Sequence, residues 1–201
     1  IHHFAKSGHG HRALGFAKLA GIAHEEVPVD LAGGEHKSPE FLAMNPNGQV
    51  PVLQDGDVTV SDSNAILVYL ARTYAPDWMP STPIDEANVQ RWLTLAAGEV
   101  AFGSCAARLI TVFGAPLDVD FADATATKAM QKLEHGLEGR DWLVSDRPTI
   151  ADVANYSYTA HAPEGNVSLD PYPNVRAWLA RFEALPGFQA MPATAVGLAA
   201  E

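Results

Sequence analysis

The dipeptide Val50-Pro51 restricts the possible folds of this chain more than any other feature of its sequence. The following residues, Val52-Leu53, favour a strand, Asp55-Gly56 is typical of a hairpin turn, and Val58-Thr59-Val60 predicts the returning strand. Because proline has no amide hydrogen to donate to a sheet, Pro51 fits only at the start of a strand, at an edge or at a bulge. A cis bond before Pro51 would bend the chain and leave the amide and carbonyl of Val50 free to bind a ligand backbone.

A helix is predicted directly after this hairpin. Ser61-Asp62-Ser63 indicates its start, and its apolar face is formed by Ile66, Leu67 and Leu70. The first turn of a helix has unpaired amides and the positive end of the helix dipole. This helix start is therefore a candidate binding site for a carboxylate.

Residues 1–75 predict a small domain in which a strand, a helix and a strand precede the hairpin and its helix. Ile1-His2-His3-Phe4 is compatible with the first strand, Arg12 to Ala20 with the helix and residues 25–30 with the second strand. A strand–helix–strand unit implies a parallel crossover. The complete order, βαβ followed by ββα, is that of a thioredoxin-like domain.

Residues 76–83 predict a proline-rich linker, and residues 84–201 predict an all-helical bundle. One long helix is expected from Asp85 to Phe113, with a bend or close packing allowed at Gly98 and Gly103. The fold class is therefore α+β, a thioredoxin-like domain followed by an all-helical domain.

The start of a further helix is predicted at Thr149-Ile150-Ala151-Asp152. Thr149 and Asp152 have the spacing of a capping box, with aspartate in place of glutamate, so both are expected to stabilise the fold rather than to take part in chemistry. The Ala- and Gly-rich tail, residues 190–201, is expected to be loosely held.

Composition and charge limit the partners of the chain. The formal net charge is −11, and no run of basic residues could follow a phosphate backbone, which argues against nucleic acid as a partner. The single cysteine, Cys105, excludes an intramolecular disulfide and fits a cytoplasmic location. No uninterrupted apolar run approaches about 18 residues, so neither a membrane span nor a signal peptide is expected.

Two of these motifs resemble those of the soluble glutathione S-transferases. Gln49-Val50-Pro51 followed by Asp62-Ser63-Asn64-Ala65-Ile66 is similar to the glutathione-binding signature of that family, and Thr149-Ile150-Ala151-Asp152 is similar to the start of the buried central helix of its helical domain. The resemblance implies a homodimeric detoxification enzyme in which a thioredoxin-like domain binds glutathione as co-substrate, without a metal. It also implies that the helical domain holds a small electrophilic substrate.

The resemblance assigns glutathione-binding roles to residues around these motifs. In the family, the start of the third helix holds the γ-glutamyl end of glutathione, and basic side chains of an earlier loop reach its glycine carboxylate. A solvated charge pair is the alternative for the loop residues His36 and Lys37. The residues implied are His36, Lys37, Gln49, Val50, Pro51, Asp62, Ser63 and Asn64.

Ser7, between the first strand and the first helix, is the candidate residue for the glutathione sulfur. A hydroxyl there can donate to a thiolate, and lowering a thiol pKa by two units takes ~2.7 kcal/mol, the size of one charge-assisted hydrogen bond plus a dipole contribution. The resemblance supports Ser7, because the serine-using theta- and zeta-like classes have an arginine shortly afterwards, as Arg12 stands here. The alternatives are His9 as the sulfur contact and Ser7 as a simple helix cap.

This loop also departs from some family patterns. Ser7-Gly8-His9 stands where the zeta class has Ser-Ser-Cys, which argues against zeta-type isomerase activity, and the loop has no tyrosine of the alpha, mu or pi type. Reductase classes normally use a loop cysteine, which is absent. A non-catalytic glutathione-binding module and a glutathione-dependent isomerase or peroxidase remain the alternative functions.

In the family the electrophile lies against the first long helix of the helical domain, which places Phe102, Cys105 and Arg108 in the electrophile pocket. Arg108 could hold an anionic or carbonyl-bearing acceptor. The alternatives are a core position for Cys105 and a surface or dimer charge for Arg108.

The histidines of the first segment do not predict a metal site. His2 and His3 are adjacent on a strand and so point to opposite faces. No cysteine or carboxylate lies near them in sequence to complete a zinc site.

Overall fold

The computed structural model describes residues 1–200. Its first domain contains a four-stranded sheet in the order β2-β1-β3-β4, in which β1 and β2 are parallel and the other neighbours are antiparallel. The strands are β1 (His2–His3), β2 (Val27–Pro28), β3 (Val52–Asp55) and β4 (Val58–Ser61). With helices α1 (Gly8–Leu19), α2 (Pro39–Met44) and α3 (Ser63–Tyr74), this is the predicted thioredoxin-like arrangement. The fold class is therefore confirmed.

The hairpin and the starts of α1 and α2 follow local sequence signals. The chain turns at Gly56, which has a φ of +56°, a conformation that glycine adopts without strain. Ser38 accepts a hydrogen bond from the amide of Phe41 and so caps α2, which begins at Pro39. The helix α1 begins at Gly8, before the expected Arg12, because the Ser7 hydroxyl oxygen accepts from the Gly10 amide and caps the helix earlier.

The rest of the described chain is helical. A short 3₁₀ turn, Pro76–Trp78, lies between the sheet domain and the first helix of the bundle. The helices are α4 (Pro83–Ala97), α5 (Ala106–Phe113), α6 (Val119–Gly136), α7 (Ile150–Ala160) and α8 (Pro173–Glu183).

The long helix predicted from Asp85 to Phe113 is divided in the structure. α4 ends at Ala97, the backbone of the following Gly98 is not helical, and a π-helical turn covers Ala101–Cys105 before α5 begins. Close packing accompanies this turn, because a Cβ on Gly103 would lie 2.4 Å from the backbone nitrogen of Ala126 on α6. The stretch Pro83–Phe113 is apolar and long enough to span a membrane by composition alone, but half of its most apolar window is buried inside the fold, as in a core helix.

α7 is the central helix of the bundle and is buried from Ile150 to Thr159. Thr149 and Asp152 form the capping box at its start. The Asp152 carboxylate accepts hydrogen bonds from the amides of Thr149 and Leu143 and from the indole nitrogen of Trp178, at 2.8 to 3.0 Å. This carboxylate therefore connects the start of α7 to α8 and to the loop that precedes α7.

The two domains share one hydrophobic core and several hydrogen bonds. His11 of α1 bonds through Nδ1 to Ser157 of α7 and through Nε2 to the carbonyl of Gln189. The Asn64 amide at the start of α3 donates to the carbonyl of Leu93 on α4. α1 and α3 are thus fixed against the helical bundle.

The prediction of a loosely held tail is wrong for the described part of that segment. Met191 is buried, and the amide and hydroxyl of Thr194 both donate to the Glu164 carboxylate. The tail is held because the buried Glu164 carboxylate of the helical bundle accepts hydrogen bonds from Thr194. Glu201, the last residue of the predicted tail, lies outside the described residues.

Candidate functional site

A cavity of about 720 Å³ lies between the sheet domain and the helical domain. From the sheet domain it is lined by the loop before α1 and the first turn of α1, the short 3₁₀ turn before α2, the loop before β3 and the start of α3. The lining residues of these segments include Ser7, His9, His36, Gln49, Val50, Pro51, Asp62 and Ser63. From the helical domain it is lined by Cys105, Arg108, Leu109, Phe113 and Tyr158. Most of the predicted site residues are therefore brought together in one place.

The loop before β3 presents backbone to this cavity. The Val50–Pro51 bond is cis, and Val50 pairs with no strand of the sheet. Asn45, which is buried, donates from its amide to the carbonyl of Gln49 at 2.8 Å and accepts from the amide of Asn47. The Asn45 side chain therefore supports the loop before β3, and no sequence motif indicated this role.

Asp62 forms the N-cap of α3 in an unusual backbone conformation. Its φ is +76°, and its carboxylate accepts from the amides of Asn64 and Ala65 at 2.9 Å each. A non-glycine residue with positive φ is uncommon and is found at ligand sites more often than elsewhere. The exposed Asp62 and the amide end of α3 therefore lie together at the cavity.

A polar network under this helix start is formed by the buried Ser63 and Arg12 and the half-buried His9. Arg12 donates from Nη1 to the Ser63 hydroxyl and to the Asn64 side-chain oxygen, both at 2.9 Å. Nδ1 of His9 lies 3.2 Å from the same Ser63 oxygen. Since an arginine can only donate, the Ser63 hydroxyl accepts from Arg12 and keeps its own hydrogen for His9 or for a ligand.

His9 is neutral at physiological pH. Burial, with a further contribution from the nearby Arg12 charge, lowers the pKa of His9 to about 3. Its ring packs edge-on against Tyr158, and its backbone amide donates to the Tyr158 hydroxyl at 3.3 Å. His9 can therefore offer a hydrogen-bond donor to the cavity but not a positive charge.

Ser7 lies at the N-terminus of α1 with its hydroxyl oxygen 3.1 Å from the Gly10 amide. The oxygen is the acceptor in this bond, so the hydroxyl hydrogen remains available to a group in the cavity. The next residue, Gly8, is covered by Tyr158, because a Cβ there would lie 2.6 Å from the tyrosine ring. This close contact brings α7 against the Ser7 loop.

Cys105 lines the cavity but is not a nucleophile in this setting. Burial raises the pKa of its thiol, although a hydrogen bond with Tyr158 acts in the opposite direction. Burial also raises the pKa of the Tyr158 hydroxyl, so both groups are protonated near neutral pH.

Arg108 on α5 is completely buried, unlike the surface or dimer charge that was the alternative prediction. Its Nε donates to the Glu164 carboxylate at 2.6 Å, and Nη1 donates to the carbonyl of Lys6 at 2.9 Å. Burial alone would raise the pKa of Glu164, but hydrogen bonds from Thr194, His161 and Arg108 together lower it to about 2. The pair is therefore ionised.

The structure differs from the sequence prediction at three candidate residues. Phe102 is 60% exposed and does not line the cavity, because the π-helical turn adds a residue to the helical period and turns it away from the face of Cys105 and Leu109. Lys37 donates to the carbonyls of Asn47 and Gly48 and lies outside the cavity lining. The Asn64 side chain likewise faces Arg12 and α4 rather than the cavity.

Sequence reasoning missed several residues of the site as functional candidates. They are the supporting residues Arg12 and Asn45, and the cavity residues Tyr158, Leu109 and Phe113. Leu109 and Phe113 follow Cys105 at intervals of four residues, so the helical period could have indicated them. Among residues 1–200, no group of three or more His, Cys, Asp or Glu side chains converges on a point that could hold a metal.

The fold and the site define a thioredoxin-like protein whose ligand cavity is completed by a helical domain, and comparisons with known proteins identify the family. The chain matches the family model "Glutathione S-transferase, N-terminal domain" over residues 2–72 and "Glutathione S-transferase, C-terminal domain" over residues 117–186. It is 35% identical over 192 residues to a probable glutathione S-transferase of Oryza sativa subsp. japonica, covering 89% of this chain and 88% of the relative. It is 34% identical to the human glutathione S-transferase theta-2, covering 86% of this chain and 75% of that protein.

Solved structures of known proteins support the same family assignment. A glutathione S-transferase from Pseudomonas fluorescens superimposes with a TM-score of 0.89 at 30% identity, covering 95% of this chain and 97% of that one. A glutathione transferase homologue from Drosophila mojavensis, solved with bound glutathione, has a TM-score of 0.85 at 25% identity and covers 92% of this chain and 87% of its own. The chain belongs to the glutathione S-transferase family and is a glutathione transferase.

Proposed function

We propose that this enzyme joins glutathione to a small, largely apolar electrophile held between its two domains. The observation that carries the proposal is a single cavity in which Ser7, the unpaired backbone of Val50 and the start of α3 face apolar residues of α5. Glutathione fits the polar side of such a cavity and an apolar electrophile fits the other.

Glutathione would bind along the sheet domain by its backbone and its two ends. The amide and carbonyl of Val50 pair with the backbone of the tripeptide. The γ-glutamyl end, which has an ammonium and a carboxylate, lies at Asp62 and Ser63, where a carboxylate, a hydroxyl and the positive end of α3 are adjacent. His36, which lines the cavity, is the candidate contact for the glycine carboxylate.

The sulfur would lie at the N-terminus of α1. The Ser7 hydroxyl donates to the thiolate, and neutral His9 donates from Nε2 while its Nδ1 accepts from Ser63. The thiolate attacks the electrophilic carbon, a sulfur–carbon bond forms, the leaving group departs with its bonding electrons, and the thiol proton has already passed to solvent. The thiolate population rises roughly thirtyfold at most when the pKa falls by two units from ~8.5, so further acceleration must come from positioning.

Dimerisation and cellular location are also part of this proposal. Membership of the family supports a homodimer with a detoxifying role in the cytoplasm, and the single buried cysteine is compatible with a reducing compartment. The raised pKa of the Cys105 thiol gives no support to a cysteine-based reductase.

The central test is the substitution Ser7→Ala, with Ser7→Thr as the matched control. We expect Ser7→Ala to lower kcat/KM for glutathione and chlorodinitrobenzene by about tenfold or more, because one charge-assisted hydrogen bond to the thiolate is lost. The pH profile of kcat/KM should also move to higher pH. Ser7→Thr retains both the hydroxyl and the helix cap, so it should keep most of the activity.

The pH profile separates this role from capping alone. A simple cap would lower stability by about 1 kcal/mol without moving the profile. Calorimetric binding of glutathione without turnover of any electrophile would indicate a non-catalytic binding module instead.

A further inference from the structure

Tyr158 of α7 contacts the start of α1 in three ways. Its hydroxyl oxygen accepts from the backbone amide of His9 at 3.3 Å, and its ring lies edge-on to the His9 ring, with centroids 5.0 Å apart. A Cβ on Gly8 would lie 2.6 to 2.9 Å from three carbons of the tyrosine ring, so only glycine fits there without displacing Tyr158. Ser7 and His9, the two proposed contacts of the glutathione sulfur, flank Gly8. One side chain of the helical domain therefore holds the segment that carries both.

The bond to the His9 amide completes the cap of α1. The first four amides of an α-helix have no acceptor within the helix. At this helix start the amide of Gly10 bonds to the Ser7 hydroxyl, and the amide of His11 bonds to the Ser7 carbonyl. Tyr158 supplies the acceptor for the amide between them, from 149 positions away in the chain. Loss of its hydroxyl would leave that amide unpaired and loosen the first turn of α1.

Tyr158 also meets the opposite wall of the cavity. Its hydroxyl forms a hydrogen bond with the thiol of Cys105, at the end of the π-helical turn, and both residues line the cavity. Turns of this kind often occur at functional sites. Because burial raises the pKa of the Tyr158 hydroxyl, the group stays protonated and neither takes nor gives up the proton of the reaction.

We propose that Tyr158 is a positioning residue of the transfer reaction, whose hydroxyl and ring fix the first turn of α1 so that the Ser7 hydroxyl and the His9 ring both face the glutathione sulfur. The inference rests on the proposed function, since it names a further residue of that same site. Tyr158 acts through Ser7 and His9, so the bonds that form and break in the reaction are unchanged.

The first test is Tyr158→Phe, which keeps the ring against Gly8 but removes the acceptor of the His9 amide. The pKa of the bound glutathione thiol, followed by the ultraviolet absorbance of the thiolate without any electrophile, should rise by roughly half a unit to one unit. For chlorodinitrobenzene, kcat/KM should fall roughly three- to tenfold at neutral pH and recover at higher pH. The Kd of S-methylglutathione should change little, because the tripeptide is proposed to bind at Val50 and Asp62.

The matched control is Tyr156→Phe, on the same helix. The Tyr156 hydroxyl donates to Glu183 at 2.9 Å, and the residue does not line the cavity. This variant also loses a hydroxyl bond, but the thiol pKa and kcat/KM should match the wild type. The titratable neighbours of Tyr158 do not titrate near neutral pH, since the pKa of His9 is about 3, that of Cys105 is raised, and Arg12 stays a cation. A shifted profile would therefore report the glutathione thiol.

The second test is Gly8→Ala, with Gly15→Ala as its control on the same helix. Both glycines are helical, but a Cβ on Gly15 would lie 3.5 Å from its nearest neighbour, the His11 ring, which is an ordinary contact. Gly8→Ala should separate α1 from Tyr158, raise the pKa of the bound thiol and lower kcat/KM by about tenfold or more. Gly15→Ala should leave both quantities unchanged.

The outcomes distinguish this inference from the proposed function. A thiol pKa in Tyr158→Phe that is equal to or below the wild-type value would overturn the role of Tyr158, as would an activity loss of the same factor at every pH. If Tyr158→Phe does not fold, Gly8→Ala decides, and a wild-type thiol pKa in that variant would overturn the inference. Failure of the proposed function would already appear in the wild type, as a bound thiol that keeps its solution pKa and reacts with no electrophile, and it would overturn this inference as well.

Discussion

His9 illustrates at the scale of single residues how a neighbour sets the chemistry of a side chain. It is half-buried beside the Arg12 guanidinium, and both contact the Ser63 hydroxyl. Burial is the main cause of its low pKa, and the arginine charge adds to it. A histidine that stays neutral over the working range can orient a hydrogen bond but cannot act as an acid that titrates near neutrality.

His9 should therefore give no inflection in the pH profile of kcat/KM between about pH 5 and 8, because its pKa of about 3 lies below this range. The profile should rise once, with ionisation of the glutathione thiol. His9→Gln retains a donor and should keep the shape of the profile, whereas His9→Ala should lower kcat/KM by about tenfold. An inflection near the ordinary pKa of histidine that is lost in His9→Gln would contradict this assignment.

The start of α7 shows at the scale of elements how one carboxylate can organise several segments. Asp152 is fully buried and accepts from Thr149, Leu143 and Trp178, which belong to the cap, the preceding loop and α8. Neither Thr149 nor Asp152 lines the cavity. Their contribution is to the packing of the bundle against which α1 and α3 are positioned.

Asp152→Ala should therefore lower the free energy of unfolding by roughly 3 to 5 kcal/mol, since it leaves several buried donors without an acceptor. Thr149→Ala removes the cap hydroxyl but keeps the backbone contact, and its cost should be about 1 kcal/mol. Urea unfolding measures both changes. The Kd for glutathione of the folded variants should match the wild type, and a large change in Kd with unaltered stability would refute a purely structural role.

Half-buried, neutral histidines link the two domains at the scale of the whole molecule. His9 contacts Tyr158 of α7, and His11 bonds to Ser157 and to the carbonyl of Gln189. Burial is the main cause that lowers the pKa of His11 to about 4. Protonation of either ring in the folded state is therefore unfavourable, so the stability of the contact between the domains is expected to depend on pH.

The stability of the enzyme should decrease as the pH falls from about 6.5 toward 4. In this range the unfolded chain binds protons at both histidines while the folded chain does not, so the free energy of unfolding rises with pH. The loss at pH 5 should be on the order of 2 kcal/mol for each histidine. His11→Gln should reduce the slope of unfolding free energy against pH in denaturation experiments.

Local signals accounted for much of the fold. The turn at Gly56 and the capping box at Thr149 both depend on residues within a few positions of one another, and each is present where it was expected. The long helix is interrupted at Gly98, one of the two glycines at which a bend or close packing was allowed, and the π-helical turn after it packs closely against α6 at Gly103.

The sequence by itself determined the order of the elements and the positions of the Val50–Pro51 loop and of the start of α3, because short-range sterics and hydrogen bonds decide turns and caps. Only the tertiary structure decided which side chains meet: Arg12 beneath Ser63, Tyr158 over Gly8, and Arg108 against Glu164. The partners in these three contacts are between 51 and 150 residues apart, so they depend on how whole helices pack and not on any local pattern.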